Sequence, residues 1–71
     1  MATPIVLSSD HIPLAQAVKL AGLADTGGQA KLLVRAGKVR VNGIVEERPG
    51  HKLHAGDRLA DDAGQEWIIQ A

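Results

Sequence analysis

No cysteine, phenylalanine or tyrosine occurs in this 71-residue chain, and Trp67 is its single aromatic residue. Without thiols there is no disulfide framework and no thiolate metal site, and nothing ties the chain to an oxidising compartment. With one aromatic residue, lying in the apolar run "WII", there is no set of stacking platforms of the kind that single-strand nucleic-acid binders use. Net charge is missing too, since eight Lys and Arg balance eight Asp and Glu. Long hydrophobic runs are also absent: the longest mostly apolar segment, "LAQAVKLAGLA", is interrupted by Lys19, and the N-terminus carries no basic leader. Secretion and membrane insertion are not expected, and a cytoplasmic protein is. A chain of this length holds one small core, so residues 1–71 are expected to form a single domain.

The balance of charge over the whole chain hides a segregation along it. From Gln29 to His54 there are six cations, Lys31, Arg35, Lys38, Arg40, Arg48 and Lys52, against Glu46 and Glu47, a surplus of four. The flanking segments are acidic, with Lys19 against Asp10 and Asp25 on one side and Arg58 against Asp57, Asp61, Asp62 and Glu66 on the other. A charge run is ordinarily a solvated face, so its meaning depends on the elements that carry it.

Leu14, Ala17, Val18 and Ala21 recur at helical spacing, and Pro13 suits a first-turn position, which predicts a helix from Leu14 to about Ala21. Thr26 followed three residues later by Gln29 has the form of a capping box and starts a second helix. Ala30, Leu33 and Val34 would face the core, while Lys31, Arg35 and Lys38 follow at intervals of four and three and are expected on one outer face, with Gly37 as the left-handed cap. The short joint makes the two helices a helix-turn-helix-like pair. Val39 and Val41 then alternate with Lys38 and Arg40, and Asn42-Gly43 signals a two-residue hairpin that sets Val41 opposite Ile44 and Arg40 opposite Val45. Leu53 and Leu59 are expected as buried anchors, with a strand from about Asp57 to Ala60. The closing "QEWIIQ" is a strand that can pair with "PIVLS" or with its predecessor, and Trp67 belongs in the core.

Three spaced motifs, "TGGQAK" at 26–31, "VNG" at 41–43 and "RPGHKLHAGD" at 48–57, resemble in order those of the RNA-binding domain named after the fourth protein of the small ribosomal subunit, the S-four domain, and most nearly its free-standing bacterial members. The likeness runs from about Ile12 to Asp57. It implies an α+β fold, the αL motif, in which a helix-turn-helix-like pair packs on a small, mostly antiparallel sheet with a β-hairpin. It further implies that the second helix and the following hairpin present basic side chains to structured RNA, with ribosomal and transfer RNA among the candidates. By position, Lys31, Arg35, Lys38, Arg40, Arg48 and Lys52 become RNA-binding residues, with Lys31, Arg35, Arg40, Arg48 and Lys52 expected to form one phosphate-binding face. His51 joins them, because an imidazole between Arg48 and Lys52 gains charge as pH falls toward about 6. Pro49 and His51 stand where relatives often carry further basic residues. A chain with Lys and Arg but no exposed-type aromatic cluster fits phosphate and sugar contacts on folded RNA.

Catalysis has weaker support. His11, His51 and His54, with Asp10 and Asp57 nearby, show neither metal-ligand spacing nor the separation that a triad requires, so no metal, cofactor or enzymatic activity is expected. A monomer is expected. The competing reading is a protein-interaction module that uses the same fold through its basic hairpin or an exposed strand edge.

Overall fold

The computed structural model describes residues 2–71. Its elements in chain order are β1 (Thr3–Val6), β2 (Ile12–Pro13), α1 (Leu14–Leu20), α2 (Gly27–Arg35), β3 (Val39–Val41), β4 (Ile44–Val45), β5 (Lys52–Leu53), β6 (Arg58–Asp61) and β7 (Glu66–Gln70). Five strands form a sheet in the order β1-β7-β6-β3-β4, in which only the β1–β7 pair is parallel, and β2 with β5 makes a separate two-residue antiparallel ladder. The expected α+β architecture, two helices on a mostly antiparallel sheet, is the one observed.

Period-two alternation decides which sheet face receives the helices. Val39, Val41, Leu59, Trp67 and Ile69 are buried in one cluster with Leu14, Ala17 and Val18 of α1 and Ala30 and Val34 of α2. Their alternates, Arg40, Arg58 and Glu66, are exposed on the opposite face. Trp67 is 7% exposed, and Leu53 and Leu59 are fully buried, as their sequence positions predict. "EWIIQ" pairs on both sides, parallel with β1 and antiparallel with β6, so the two candidate pairings coexist. The preceding strand begins at Arg58, one residue later than expected.

Backbone chemistry sets the helix ends. Pro13 sits one residue earlier than expected, at the N-cap of α1, where it offers no side-chain cap. Thr26 caps α2 by accepting from Gln29 N (3.1 Å), while Gln29 Oε1 accepts from Asp25 N (3.0 Å), one residue before the donor of a standard capping box. At the other end Gly37 has φ +73°, and the bonds Gly37 N to Val34 O and Lys38 N to Leu33 O form a Schellman motif. Gly22 ends α1 by the same pair of bonds, to Lys19 O and from Leu23 N to Val18 O. The hairpin has the predicted register, Val41 with Ile44 and Arg40 with Val45. Asn42 (φ +54°) and Gly43 (φ +84°) both take the left-handed conformation that a type I′ turn requires.

Asp61, one of the acids of the C-terminal flank, is 8% exposed. Its Oδ1 accepts from Ala63 N (3.1 Å) and Gln65 N (2.8 Å), so it builds the turn into β7.

Candidate nucleic-acid interface

α1 begins without a side-chain cap, yet its first amide groups are not left unpaired. Leu14 N donates to His51 O (2.8 Å) and Ala15 N to Pro49 O (3.0 Å), so carbonyls of the 48–51 loop cap the helix. The β2–β5 ladder, with Ile12 opposite Leu53 and Pro13 opposite Lys52, holds the same loop from its far side. A segment distant in sequence from α1 is thereby docked at its N-terminus.

The result is a groove of about 320 Å³. Its walls are Pro13, Ala15, Gln16 and Lys19 of the α1 side, Gly27 and Lys31 of α2, and Pro49 and Gly50 of the loop. Lys31 and Arg35 are exposed one helical turn apart, away from buried Ala30 and Val34. Arg48, His51 and Lys52 lie on the docked loop and the strand that follows it. Lys19 and Gln16 are not among the sequence candidates. Both are the polar positions, three apart, of an otherwise apolar helix, and that signal is readable in the sequence; the sum of charge along the chain instead groups Lys19 with its acidic neighbours.

Glu46 organises the loop. Its Oε2 accepts from Arg48 Nε (3.0 Å) and Arg48 N (3.1 Å), and its Oε1 accepts from Arg48 Nη2 (3.1 Å) and lies 3.6 Å from His51 Nδ1. The Arg48 side-chain bonds, followed by the backbone bond, hold the Glu46 carboxyl down at about 2, and the carboxylate in turn raises the Arg48 guanidinium above its ordinary value. Arg48 is thus exposed but already paired.

Two expected members of the basic face stand elsewhere. Lys38 does not continue the Lys31–Arg35 stripe, because the left-handed Gly37 breaks the helical period before residue 38 is reached. Its Nζ lies 3.9 Å from Asp62 Oδ2, beside a different groove, of about 450 Å³, lined by Leu23, Gln29, Leu32, Leu33 and Ala36. Arg40 lies on the outer sheet face with its register partners Val45 and Ala60, because its neighbours Val39 and Val41 point into the core. A single face containing all the cations is therefore not what the fold builds. Of the cations, Lys19 and Lys31 line the groove, and Arg48, with His51, lies on the loop that supplies its Pro49 and Gly50 wall.

The remaining histidines have local roles. His11 Nδ1 is 2.8 Å from Asp10 Oδ1, a hydrogen bond that lowers the Asp10 carboxyl, while His54 N donates to Asp57 Oδ2 (2.8 Å) in a turn and lowers the Asp57 carboxyl. Among the described residues no three His, Cys, Asp or Glu side chains come together as a metal site. Among the same residues no helix is long and apolar enough to cross a membrane.

Comparison with known proteins turns this arrangement into a family assignment. The family model of the S4 domain matches residues 5–69. The chain is an S4 domain. It is 40% identical over 57 residues to a protein of Bacillus subtilis (strain 168) named "Probable ribosome maturation protein RlbA", a match covering 80% of each chain. It is 37% identical over 60 residues to YbcJ of Escherichia coli (strain K12), covering 84% of this chain and 86% of that one. The solution structure of YbcJ, described as revealing an αL motif involved in RNA binding, superposes with a TM-score of 0.72 at 32% identity, over 100% of this chain and 90% of that chain. The S4 assignment and the match to YbcJ, whose full name is "Putative RNA-binding protein YbcJ", point to a non-enzymatic protein.

Proposed function

We propose that this S4 domain binds structured RNA through phosphate and sugar contacts, with Lys19, Lys31, Arg35, Arg48, His51 and Lys52 as positioning residues around the α1–α2–loop groove. Lys38 and Arg40, set apart from that groove, then make at most peripheral contacts. The observation that carries the reading is the groove itself: Lys19 and Lys31 stand on its two helical walls, and the loop bearing Arg48 and His51, which leads into Lys52 of β5, is fastened by backbone bonds to the helix that forms one of them. Cations held on rigid elements from three parts of the chain suit the fixed phosphate spacing of a folded RNA. Trp67, the single aromatic residue, is buried, so base stacking is not the source of affinity.

The name of the Bacillus relative makes ribosomal RNA the first structured RNA to test. The experiment compares affinity for a stem-loop RNA and for an unstructured strand of equal length at constant salt. The stem-loop should bind more tightly; equal or tighter binding of the unstructured strand would overturn the reading and favour the protein-interaction alternative.

A further inference from the structure

Glu46 is an acid set among the cations of the proposed interface, and its placement differs from that of its neighbour. Its side chain is 17% exposed, against 75% for the Arg48 it pairs with. Two oxygens of one anion accept from Arg48 Nε and Nη2 at 3.0 and 3.1 Å. A nucleic-acid phosphate presents the same two-oxygen edge to the same guanidinium fork. Glu47, the next residue, makes no ion pair among the described residues.

We infer that Glu46 is a built-in substitute for an RNA phosphate, which occupies Arg48 in the free protein and competes with RNA for it. The inference rests on the RNA-binding reading above and names, within it, the residue that attenuates affinity. Exchanging one pair of acceptor oxygens for another gains little, so a loosely docked polyanion draws small benefit from Arg48. An RNA whose shape already seats it on Lys19 and Lys31 holds a phosphate next to Arg48 and can displace the carboxylate. Glu46 thereby penalises the wrong partner more than the right one, which is how an unfavourable contact confers selectivity.

Glu46→Gln keeps a carbonyl acceptor for Arg48 and removes the charge. It should tighten binding of both RNAs by about three- to tenfold at ordinary salt, more for the unstructured strand, and steepen the slope of log affinity against log salt by roughly 0.7 to 1, as expected when the protein neutralises one more phosphate. In an Arg48→Gln background the gain should disappear, and Glu47→Gln alone should give less. Unchanged or weaker binding by a folded Glu46→Gln protein would overturn the inference, as would a gain that persists without Arg48. The wild-type protein supplies a measurement independent of any variant: the Arg48 Nε–H resonance should shift as stem-loop RNA is titrated to saturation, and an unmoved resonance would count against displacement. If Lys31→Gln weakens stem-loop binding while Glu46→Gln does nothing, this inference alone fails; if the wild-type protein prefers no stem-loop RNA, the functional reading fails with it.

Discussion

Glu46 holds its proton far less readily than a free glutamate because three N–H groups of Arg48, two from the side chain and one from the backbone, point at its oxygens. A carboxyl whose folded-state pKa is depressed stabilises the fold above its unfolded value, here 4.5, and loses that contribution as pH falls toward the folded value of about 2. Stability should therefore decline between about pH 5 and 2, and part of the decline should be absent from Glu46→Gln. Asp10 and Asp57 are lowered as well and are common to both proteins, so the difference between wild type and variant isolates Glu46. Denaturant melts at pH 5 and pH 3 provide the check: the gap between the two proteins should narrow at the lower pH, and a constant gap would mean that the carboxylate contributes nothing through its charge.

At the scale of elements, α2 separates two glycine roles that look alike in sequence. Gly27 and Gly28 open the helix with ordinary negative φ, whereas Gly37 closes it in the left-handed region. A Cβ on Gly28 would meet only Thr26 Oγ1, at 3.9 Å, an ordinary contact. Gly28→Ala should then stabilise the protein by about 0.5 kcal/mol, through the lower entropy of the unfolded chain. Thr26→Ala should cost about 1 kcal/mol, because Gln29 N loses its cap. Thermal melts read both, and a loss of stability in Gly28→Ala would show that the turn needs glycine for a reason other than backbone conformation. The 48–51 loop illustrates a similar economy, since its carbonyls take the place of the side-chain cap that α1 lacks.

Taken whole, the molecule measures 27 × 22 × 19 Å, so each dimension is more than twice the screening length of about 8 Å at physiological salt. Opposite faces are thus electrically separate, and a chain of zero net charge can present one cationic side. Neutralising Lys31 or Lys52 to Gln should lower the salt slope of RNA binding by roughly 0.7 to 1 for each cation removed and weaken binding of all sequences alike. Arg58, on the outer sheet face 3.8 Å from Glu66, is the internal control, and Lys38 and Arg40 should resemble it more than they resemble Lys31. Equal effects of Arg58→Gln and Lys31→Gln on binding and salt slope would mean that the groove is not the interface.

The sequence by itself determined the local elements and their polarity. Helical spacing in "LAQAV", the Thr26–Gln29 cap, Gly37 and the Asn42-Gly43 turn each act through neighbours a few residues away, and the structure reproduces all four. The three ordered motifs also sufficed to indicate the family, because their spacing reflects the fold. Tertiary structure alone decided which charges share a face. Lys38 and Arg40 follow Lys31 and Arg35 closely in sequence, but a left-handed glycine and strand alternation send them to other sides. Lys19, separated in sequence, is brought to the groove because the α1 amide groups take carbonyls from residues 49 and 51. The pairing of Arg48 with Glu46 and the burial of Asp61 were equally hidden, since a formal charge read from sequence does not reveal which partner satisfies it. Charges sum along the chain in a sequence, whereas binding depends on their separation in space, and that separation is set by long-range backbone pairing.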